Sequence, residues 1–453
     1  MRNSKPHRLF RVLVGALLLA GLARAAEPDF QWVVRAGGPM HDKTRGLAAD
    51  AKGHVWATGE FTGTAQFGEH TVTARGGMDF FIAKYGAGGK CLWFRQGGGA
   101  KTDRGYDVEV DRQGNAYVTG HYESEDADFG DGKTLPQRGG YDVFVAKYDP
   151  EGKLLWLHTF GGAAYDYGHG IGVDGRGRCV ATGAVAGPAD LGRGLVDLGP
   201  GSHIFLVRYD ASGRQELAQA SHGGSGSGQA LAVDGDGSIW ISGNASGEVD
   251  FGGAVRSVPG KDILLVRFDP NGRALWAAGA GGNADGVSTG VVVDRAGNAY
   301  IGGMFKKVAV FGSDTFTSAG EYDVFTAKFD PHGKLLWGRH GGSPEIDYCL
   351  GMAAEPGGGC IAVGEYGDGA TFGDRTLRSR GGRDLYVARY DAEGRMAQLL
   401  DAGGPGEDQT YCIARDGKGH VFLSGAFSGS TTLGKNSFTT LGSNDVFLAK
   451  VKL

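Results

Sequence analysis

The chain has 453 residues, of which 85 are glycine, and its 46 basic and 51 acidic residues leave a formal charge of −5 at pH 7. A protein of this balance lacks the basic surface that phosphate backbones require, so the composition argues against nucleic-acid binding. Glycine far exceeds its ordinary share of about 7%, but it recurs at fixed offsets among Val, Ile, Phe and Tyr and therefore indicates turns in a β-protein.

The N-terminal segment has the form of a secretory signal peptide. Four basic residues between positions 2 and 11 precede an apolar run over 12–22, and Ala23-Arg24-Ala25 supplies the small residues before a cleavage site. The apolar run is too short to span a membrane. We therefore expect cleavage after Ala25, export to the periplasm, cell surface or medium, and no transmembrane segment afterwards; an uncleaved anchor is the alternative. Removal of 1–25 takes away five basic residues and no acidic one, so the charge falls from −5 to −10.

The remainder of the chain, 26–453, is an internal repeat of about 61 residues with no linker inside it. Its clearest marker is a glycine that ends a short apolar run and returns at steps of 60 to 63 residues. A period of this kind predicts a solenoid or a propeller. The marker glycines are Gly59, Gly120, Gly183, Gly243, Gly303, Gly364 and Gly425.

Each repeat contains four short apolar runs, A to D, separated by turn signals. Run A leads into an acid-x-x-Gly turn such as Asp111 to Gly114, where the acid can bond its own backbone and glycine accepts a positive φ. Run B ends at the marker glycine. Run C opens with an aspartate such as Asp142 and closes with a basic residue such as Lys147, and run D carries a tryptophan, as at Trp156. Four antiparallel strands per repeat form one propeller blade.

The second copy reads GNAYVTG over 114–120, FG at 129–130 and GGYDVFVAKYDPEGKLLW over 139–156, and it resembles the bacterial SBBP-type seven-bladed β-propeller repeat family. The resemblance extends over nearly all of 26–453 and implies one all-β domain of seven blades with four antiparallel strands each. It also implies an exported or cell-surface protein and assigns no activity. Copy three departs from the pattern, since His203 replaces the aspartate that opens strand C.

The two ends of the repeat array are complementary. A D-type run over 30–34 comes first, and a C-type run over 445–450 comes last. An open ring would leave edge strands that invite aggregation. We therefore predict that the N-terminal strand completes the seventh blade and closes the ring.

The B–C and D–A connections are long and variable, and they lie together on one face, which we call the top. Loops on a rigid scaffold are where binding residues concentrate. We therefore favour a non-catalytic binding or scaffold protein, a monomer, that recognises a protein or a cell-envelope glycan through these loops. Tyrosine suits such contacts because its ring is apolar and its hydroxyl is polar. The candidate ligand-binding residues are Tyr122, Tyr165, Tyr167, Tyr348 and Tyr366.

Aspartates recur in the D–A loops of most repeats and could form a rim of oxygen ligands. Calcium binding is one interpretation, because hard cations take several carboxylate oxygens. The other is that each aspartate bonds backbone N–H groups of its own loop or a neighbouring blade, which explains the repetition. We favour the second and predict no cofactor, with calcium as the alternative. The candidate metal ligands are Asp42, Asp103, Asp166, Asp285, Asp347 and Asp408.

Polar residues that are not repeated form a second candidate site. Asp107 and Glu109 stand in strand A of copy two where other copies have small residues, and Asp166 and His169 follow in copy three. A carboxylate pair with a histidine can perform acid–base chemistry or bind a metal, so a secreted lyase or hydrolase with its site at the channel mouth is the alternative function. A solvated channel entrance explains the same residues without catalysis. The chain has no Gly-x-Ser-x-Gly, His-Glu-x-x-His or Cys-x-x-Cys motif.

Five cysteines occur at largely unrelated offsets, which does not predict a disulfide framework. We expect buried free thiols, with one bridge between Cys349 and Cys412 as the alternative.

Overall fold

The computed structural model describes residues 27–453 except 131, 133, 283 and 284, and it leaves out the side chains of 255–259. The predicted signal peptide lies outside these residues. Every regular element in the described part is a β-strand, and the strands pair in antiparallel sheets, which confirms the all-β prediction. Within the same part of the chain, no helix is long and apolar enough to cross a membrane.

The strands follow the predicted order A to D in successive repeats. Strand A spans Lys43–Ala49, Asp103–Val110, Tyr167–Val173, Ser225–Val233, Val287–Val293, Tyr348–Ala354 and Asp408–Arg415. Strand B spans Val55–Phe67, Ala116–Tyr122, Cys179–Asp190, Ile239–Asp250, Ala299–Phe305, Cys360–Tyr366 and His420–Phe427. Strand C spans His70–Tyr85, Asp142–Tyr148, Leu195–Tyr209, Val255–Phe268, Asp323–Phe329, Asp384–Tyr390 and Asp445–Lys452.

Strand D spans Cys91–Gly97, Leu154–Gly162, Gln215–Ala220, Ala274–Gly279, Leu335–Gly342 and Met396–Ala402. Shorter strands lie in the D–A and B–C connections: Gly281–Gly282, Val308–Phe311, Asp314–Thr317, Thr371–Phe372, Arg375–Thr376, Ser430–Leu433 and Asn436–Thr439.

The first strand of the described chain, Asp29–Gly37, pairs with the last one, Asp445–Lys452. The pairing is antiparallel and extends from Asp29 opposite Lys452 to Ala36 opposite Val446, with one irregularity after Phe30. The first strand A also packs against the last strand A. The two ends of the chain therefore meet in one sheet.

The repeated acid of the A–B turn holds the turn together. Asp50 Oδ1 accepts hydrogen bonds from the backbone N–H of Lys52 at 2.8 Å and of His54 at 2.9 Å. Gly53 closes the turn with a φ of 85°, a conformation that glycine adopts without strain. The acid-x-x-Gly pattern is therefore explained by local backbone bonding.

The repeated tryptophan of strand D and the basic residue of strand C link neighbouring repeats. Trp93 Nε1 and Lys84 Nζ both donate to the carbonyl oxygen of Pro150, in the C–D turn of the following repeat, at 2.9 and 3.1 Å. Trp337 and Lys328 share the Ala392 carbonyl in the same way, at 3.1 and 3.0 Å. We call this arrangement the carbonyl clasp. It explains why both residue types recur.

The apolar core lies between neighbouring sheets. Phe129, from the Phe-Gly motif of the second repeat, stacks on Phe80 of the first repeat with ring centroids 5.4 Å apart, and Phe144 lies 4.6 Å from Phe129. All three rings are buried, so this motif packs adjacent sheets together. All five cysteines are buried free thiols, and none is in a disulfide.

Candidate functional site

Strand A of every repeat contains a β-bulge at the same place. The register with strand B shifts between the sixth and fourth residues before the turn acid, which leaves the fifth residue outside the ladder. A bulge re-aims the side chain of its extra residue. The seven bulge residues all line one cavity of about 300 Å³, and we call them the bulge ring: Arg45, Tyr106, His169, Gln229, Thr289, Leu350 and Tyr411.

Below the bulge ring, the cavity walls are mostly apolar, and the residue that follows the bulge is small in most of the strands. A Cβ atom at Gly46 would lie 2.8 Å from the Cα atom of Asp107 in the next strand A, so glycine is required for the two strands to approach. Gly290 and Gly351 stand at the equivalent position in their repeats, and Cys412 stands there in the last. The cavity is therefore narrow at its base and polar at its bulge ring.

Asp107 and Glu109 are the acidic residues of the cavity wall. Asp107 Oδ2 accepts a hydrogen bond from the backbone N–H of Ile171 in the neighbouring repeat at 2.9 Å, so this carboxyl group links two inner strands. Burial raises the pKa of Asp107 to about 7. Confinement in the channel, with the charge of Asp107 nearby, raises the pKa of Glu109 to about 8.

His169 joins the bulge ring to a small polar network. Its Nδ1 lies 3.3 Å from Ser227 Oγ, which accepts a hydrogen bond from Gln229 Nε2 at 2.9 Å. Burial lowers the pKa of His169 to about 4, so the imidazole is neutral at physiological pH.

Lys43, Arg45 and Arg104 are cations on one side of the mouth of the cavity. Arg45 forms a bidentate pair with buried Glu60, with Nε to Oε2 at 2.6 Å and Nη2 to Oε1 at 2.7 Å. Lys43 Nζ lies 3.7 Å from the ring centroid of Tyr411. Burial, with smaller contributions from the positive charges of Arg45 and Arg104, lowers the pKa of Lys43 to about 8.

Aromatic side chains of the second and third repeats gather beside these cations on the top face. His121 stacks on Tyr141 at 4.6 Å, Tyr141 meets Tyr165 at 5.1 Å, and the ring of Tyr106 lies 4.9 Å from that of His169. Tyr165 is 57% exposed. We call this group, which is completed by Tyr167, the aromatic cluster.

A groove of about 390 Å³ adjoins the cavity, because Tyr106, His169 and Gln229 line both. Tyr106, Tyr167 and His169 supply aromatic rings to it. We call it the serine groove, after its remaining polar side chains, Ser202, Ser225, Ser227, Gln229, Asn244, Ser246 and Lys261.

The structure separates the five candidate tyrosines. Tyr165 and Tyr167 belong to the aromatic cluster, and Tyr348 lies across the mouth with its ring 6.0 Å from that of Tyr322. Tyr122 and Tyr366 are fully buried. Tyr122 donates to the Pro136 carbonyl, and Tyr366 donates to the Arg378 carbonyl at 3.1 Å, so both are core residues and the expectation of ligand contact is corrected for them.

The loop aspartates bond the backbone. Asp166 Oδ2 accepts from Gly162 N–H at 2.7 Å and its Oδ1 accepts from Ala186 N–H at 2.9 Å, so Asp166 does not join the cavity acids. Among the described residues, no group of three or more His, Cys, Asp or Glu side chains is arranged to hold a metal ion. Asp285 differs from the others in being exposed. The buried loop aspartates are Asp42, Asp103, Asp166, Asp347 and Asp408.

Residues 92–121 match a family model described as SBBP, beta-propeller repeat, which confirms the resemblance seen in the sequence. The chain is 24% identical over 429 residues to an uncharacterized WD repeat-containing protein, L264, of Acanthamoeba polyphaga mimivirus; the match covers 75% of this chain and 30% of that protein. The chain therefore spans less than a third of the length of this relative.

Two solved structures illustrate the likeness to known folds. YCF48 bound to D1 peptide has 11% identity and a TM-score of 0.36, covering 77% of this chain and 92% of that one. The periplasmic gluconolactonase PpgL of Pseudomonas aeruginosa has 14% identity and a TM-score of 0.31, covering 78% and 98%. At these values the likeness carries no inference about activity.

Proposed function

Because the chain carries an SBBP-type β-propeller repeat, we propose that its seven repeats form one seven-bladed ring closed by the N-terminal strand. The pairing of Asp29–Gly37 with Asp445–Lys452 supports this closure. A closed ring also removes the exposed edges that an open array would leave. The form of 1–25 supports the further proposal that the protein is exported.

We propose that the protein is a non-catalytic binding propeller whose ligand is a cell-envelope glycan, held in the serine groove with one end in the central cavity. The observation that carries this proposal is the lining of the groove, which combines aromatic rings with hydroxyl and amide groups. A sugar presents C–H faces that pack on aromatic rings and hydroxyls that exchange hydrogen bonds with serine and asparagine.

A protein segment is a less suitable ligand for this groove. Peptide recognition depends on apolar or aromatic anchors that fill desolvated pockets. Ala184 is the only aliphatic side chain among the described residues that line the groove, and it is buried. The groove therefore offers hydrogen bonds and ring faces, and it lacks the apolar pocket that an anchor residue needs.

The test is binding to an array of oligosaccharides and peptides, followed by titration calorimetry with the best ligand. Tyr167→Ala removes a ring from the groove and should weaken glycan binding about tenfold, by loss of ring contact. Tyr322→Ala is the matched control, since Tyr322 lies across the mouth, outside the groove. Equal affinity of both variants, or binding of peptides alone, would contradict the proposal.

The second candidate function is a lyase or hydrolase that acts on the same glycan. It is favoured by one cluster, in which Asp107, Glu109 and His169 line the cavity and His169 lies 3.3 Å from Ser227 Oγ. Incubation with the bound oligosaccharide and chromatography of the products tests it. Cleavage that is lost in Glu109→Gln would establish catalysis, and an intact ligand after prolonged incubation would exclude it for that glycan.

A further inference from the structure

We infer that the sugar at the channel mouth carries a negative charge, a carboxylate or a phosphate, which Lys43 and Arg104 bind. The inference rests on the proposed glycan-binding function and adds the chemical class of the sugar.

Lys43 and Arg104 have no anionic partner among the residues that the structure describes. The Lys43 ammonium lies over the ring face of Tyr411, 3.7 Å from the ring centroid. Arg104 Nη2 donates to the thioether sulfur of Met78 at 3.4 Å, which is a weak acceptor, and its buried Nε has no hydrogen-bond partner. Both groups therefore keep donor capacity for an anion.

Two arginines of the mouth hold its nearest carboxylates, although Glu365 Oε2 is buried without a hydrogen-bond partner. Glu60 is bound on both oxygens by Arg45. On the other side of the mouth, Arg383 binds Glu365 Oε1 at 2.8 Å through Nη1 and Glu407 Oε2 at 2.7 Å through Nε. These pairs give Arg45 and Arg383 carboxylate partners, and neither Lys43 nor Arg104 forms an ion pair with the residues that the structure describes.

The acids lower in the cavity do not take the place of a partner. Asp107 bonds the backbone of the next repeat, and Glu109 lies two residues further from the mouth along strand A. Burial raises the pKa of Asp107 to about 7, so this carboxyl group is partly protonated at neutral pH. The positive charge at the mouth is therefore not cancelled from below.

Positive charge that is half-buried and unpaired is costly to maintain, and an anionic ligand group removes that cost. Lys43 and Arg104 stand on adjacent inner strands, at the equivalent position two residues before the bulge residue. A carboxylate or phosphate above the cavity can accept charge-assisted hydrogen bonds from both, while its sugar ring continues into the serine groove. The protein as a whole carries a net negative charge, so the attraction for an anionic sugar is confined to this patch.

The experiment uses the purified protein on an array of oligosaccharides of matched length that carry uronates, sugar phosphates or no charge. The variants are Lys43→Met, Arg104→Met and the double substitution. The control is Lys52→Met with Arg112→Met, which removes the same two charges from exposed positions in the A–B turns. Thermal unfolding checks that each variant is folded. If Lys43→Met does not fold, Lys43→Arg, which retains the charge, replaces it.

We expect binding to acidic members only, weakened about tenfold by each substitution and more by both, with the control unchanged. Preference for uronates or for sugar phosphates identifies which anion the site takes. Binding of neutral members as tightly as acidic ones, or acidic binding that survives the double substitution, would overturn this inference and leave the glycan-binding function intact. No signal on any sugar would overturn both.

Discussion

The A–B and C–D turns and the mouth of the cavity are built from the same seven repeats. They differ in how often the same residue returns from one repeat to the next. In and beside the A–B and C–D turns, the same residue types return from copy to copy and make the same contacts. The carbonyl clasp, for example, forms at Pro150 and again at Ala392. At the bulge ring, six different residue types occupy seven equivalent positions.

This difference separates structural from functional residues. A side chain that returns in successive repeats with the same backbone partner stabilises the fold, as the loop aspartates do. A bulge residue is outside the strand ladder, so its identity is free of that requirement and can serve a ligand. Substitutions of the repeated residues should therefore change stability, and substitutions in the bulge ring should change binding.

The largest effect is expected from deletion of 27–37, which removes the strand that pairs with Asp445–Lys452. The last strand C would lose a ladder of backbone bonds and expose an edge, so we expect loss of cooperative unfolding and aggregation. Urea denaturation followed by circular dichroism measures this. The protein that begins at residue 27 is the control, and a deleted form that unfolds with the same midpoint would rule out a role in closure.

Trp337→Ala should be the next largest change. Trp337 is 7% exposed, and a Cβ atom at Gly394 would lie 2.6 Å from its ring, so the indole fills the space above the next C–D turn. We expect a loss of about 3–5 kcal/mol in the free energy of unfolding from the cavity and the lost clasp. Ligand affinity should stay within twofold of the parent. A strong loss of affinity at unchanged stability would show that Trp337 serves binding and not the fold.

The aspartate pairs between repeats predict a pH dependence. Oδ1 of Asp142 and Oδ2 of Asp166 both face Gly161, where a Cβ atom would lie 2.4 and 2.6 Å from them. Burial raises the pKa of Asp142 to about 6, and the charge of Asp166 adds to the effect. The stability that this shift contributes is full below about pH 4 and is lost as the pH rises through 6.

Asp142→Asn removes this titration and places an amide N–H donor beside Asp166. The variant should therefore match the parent near pH 4 and exceed it near pH 8 by about 3 kcal/mol. Thermal unfolding across this range is the measurement. Asp149→Asn in the C–D turn is the control, and its stability should change with pH as the parent's does. An Asp142 variant that is equally destabilised at every pH would contradict the raised pKa of Asp142.

The smallest structural effect is expected from Gln229→Ala in the bulge ring. Its amide donates to Ser227 and lines both the cavity and the groove, but it belongs to no clasp or core cluster. We expect unfolding within about 0.5 kcal/mol of the parent and glycan affinity reduced severalfold. Calorimetry measures the affinity and thermal unfolding the stability of one preparation. A large loss of stability with unchanged affinity would contradict the assignment of the bulge ring to binding.

Much of the fold was predictable from the sequence because the pattern of each strand occurs in several repeats. The aspartate that opens strand C stands where the pattern requires, at Asp142 for example, but strand B does not end at its marker glycine, since it continues from Gly120 to Tyr122. The bulge was not predicted, because only tyrosine occurs there more than once and a one-residue insertion that is present in every copy leaves no mark on the spacing. Burial of Tyr122 was also missed, because the prediction ended strand B at Gly120 and placed Tyr122 in a loop, whereas every residue of Ala116–Tyr122 is buried.

The bulge positions have a consequence for how this scaffold can change. Seven side chains point at one cavity from seven rigid strands, and each can be replaced while the ladder hydrogen bonds on either side remain. A library that varies only these positions would sample many cavity chemistries on one backbone. The same freedom would allow related chains to diverge in ligand while keeping their repeats, so their specificity should be compared at the bulge ring first.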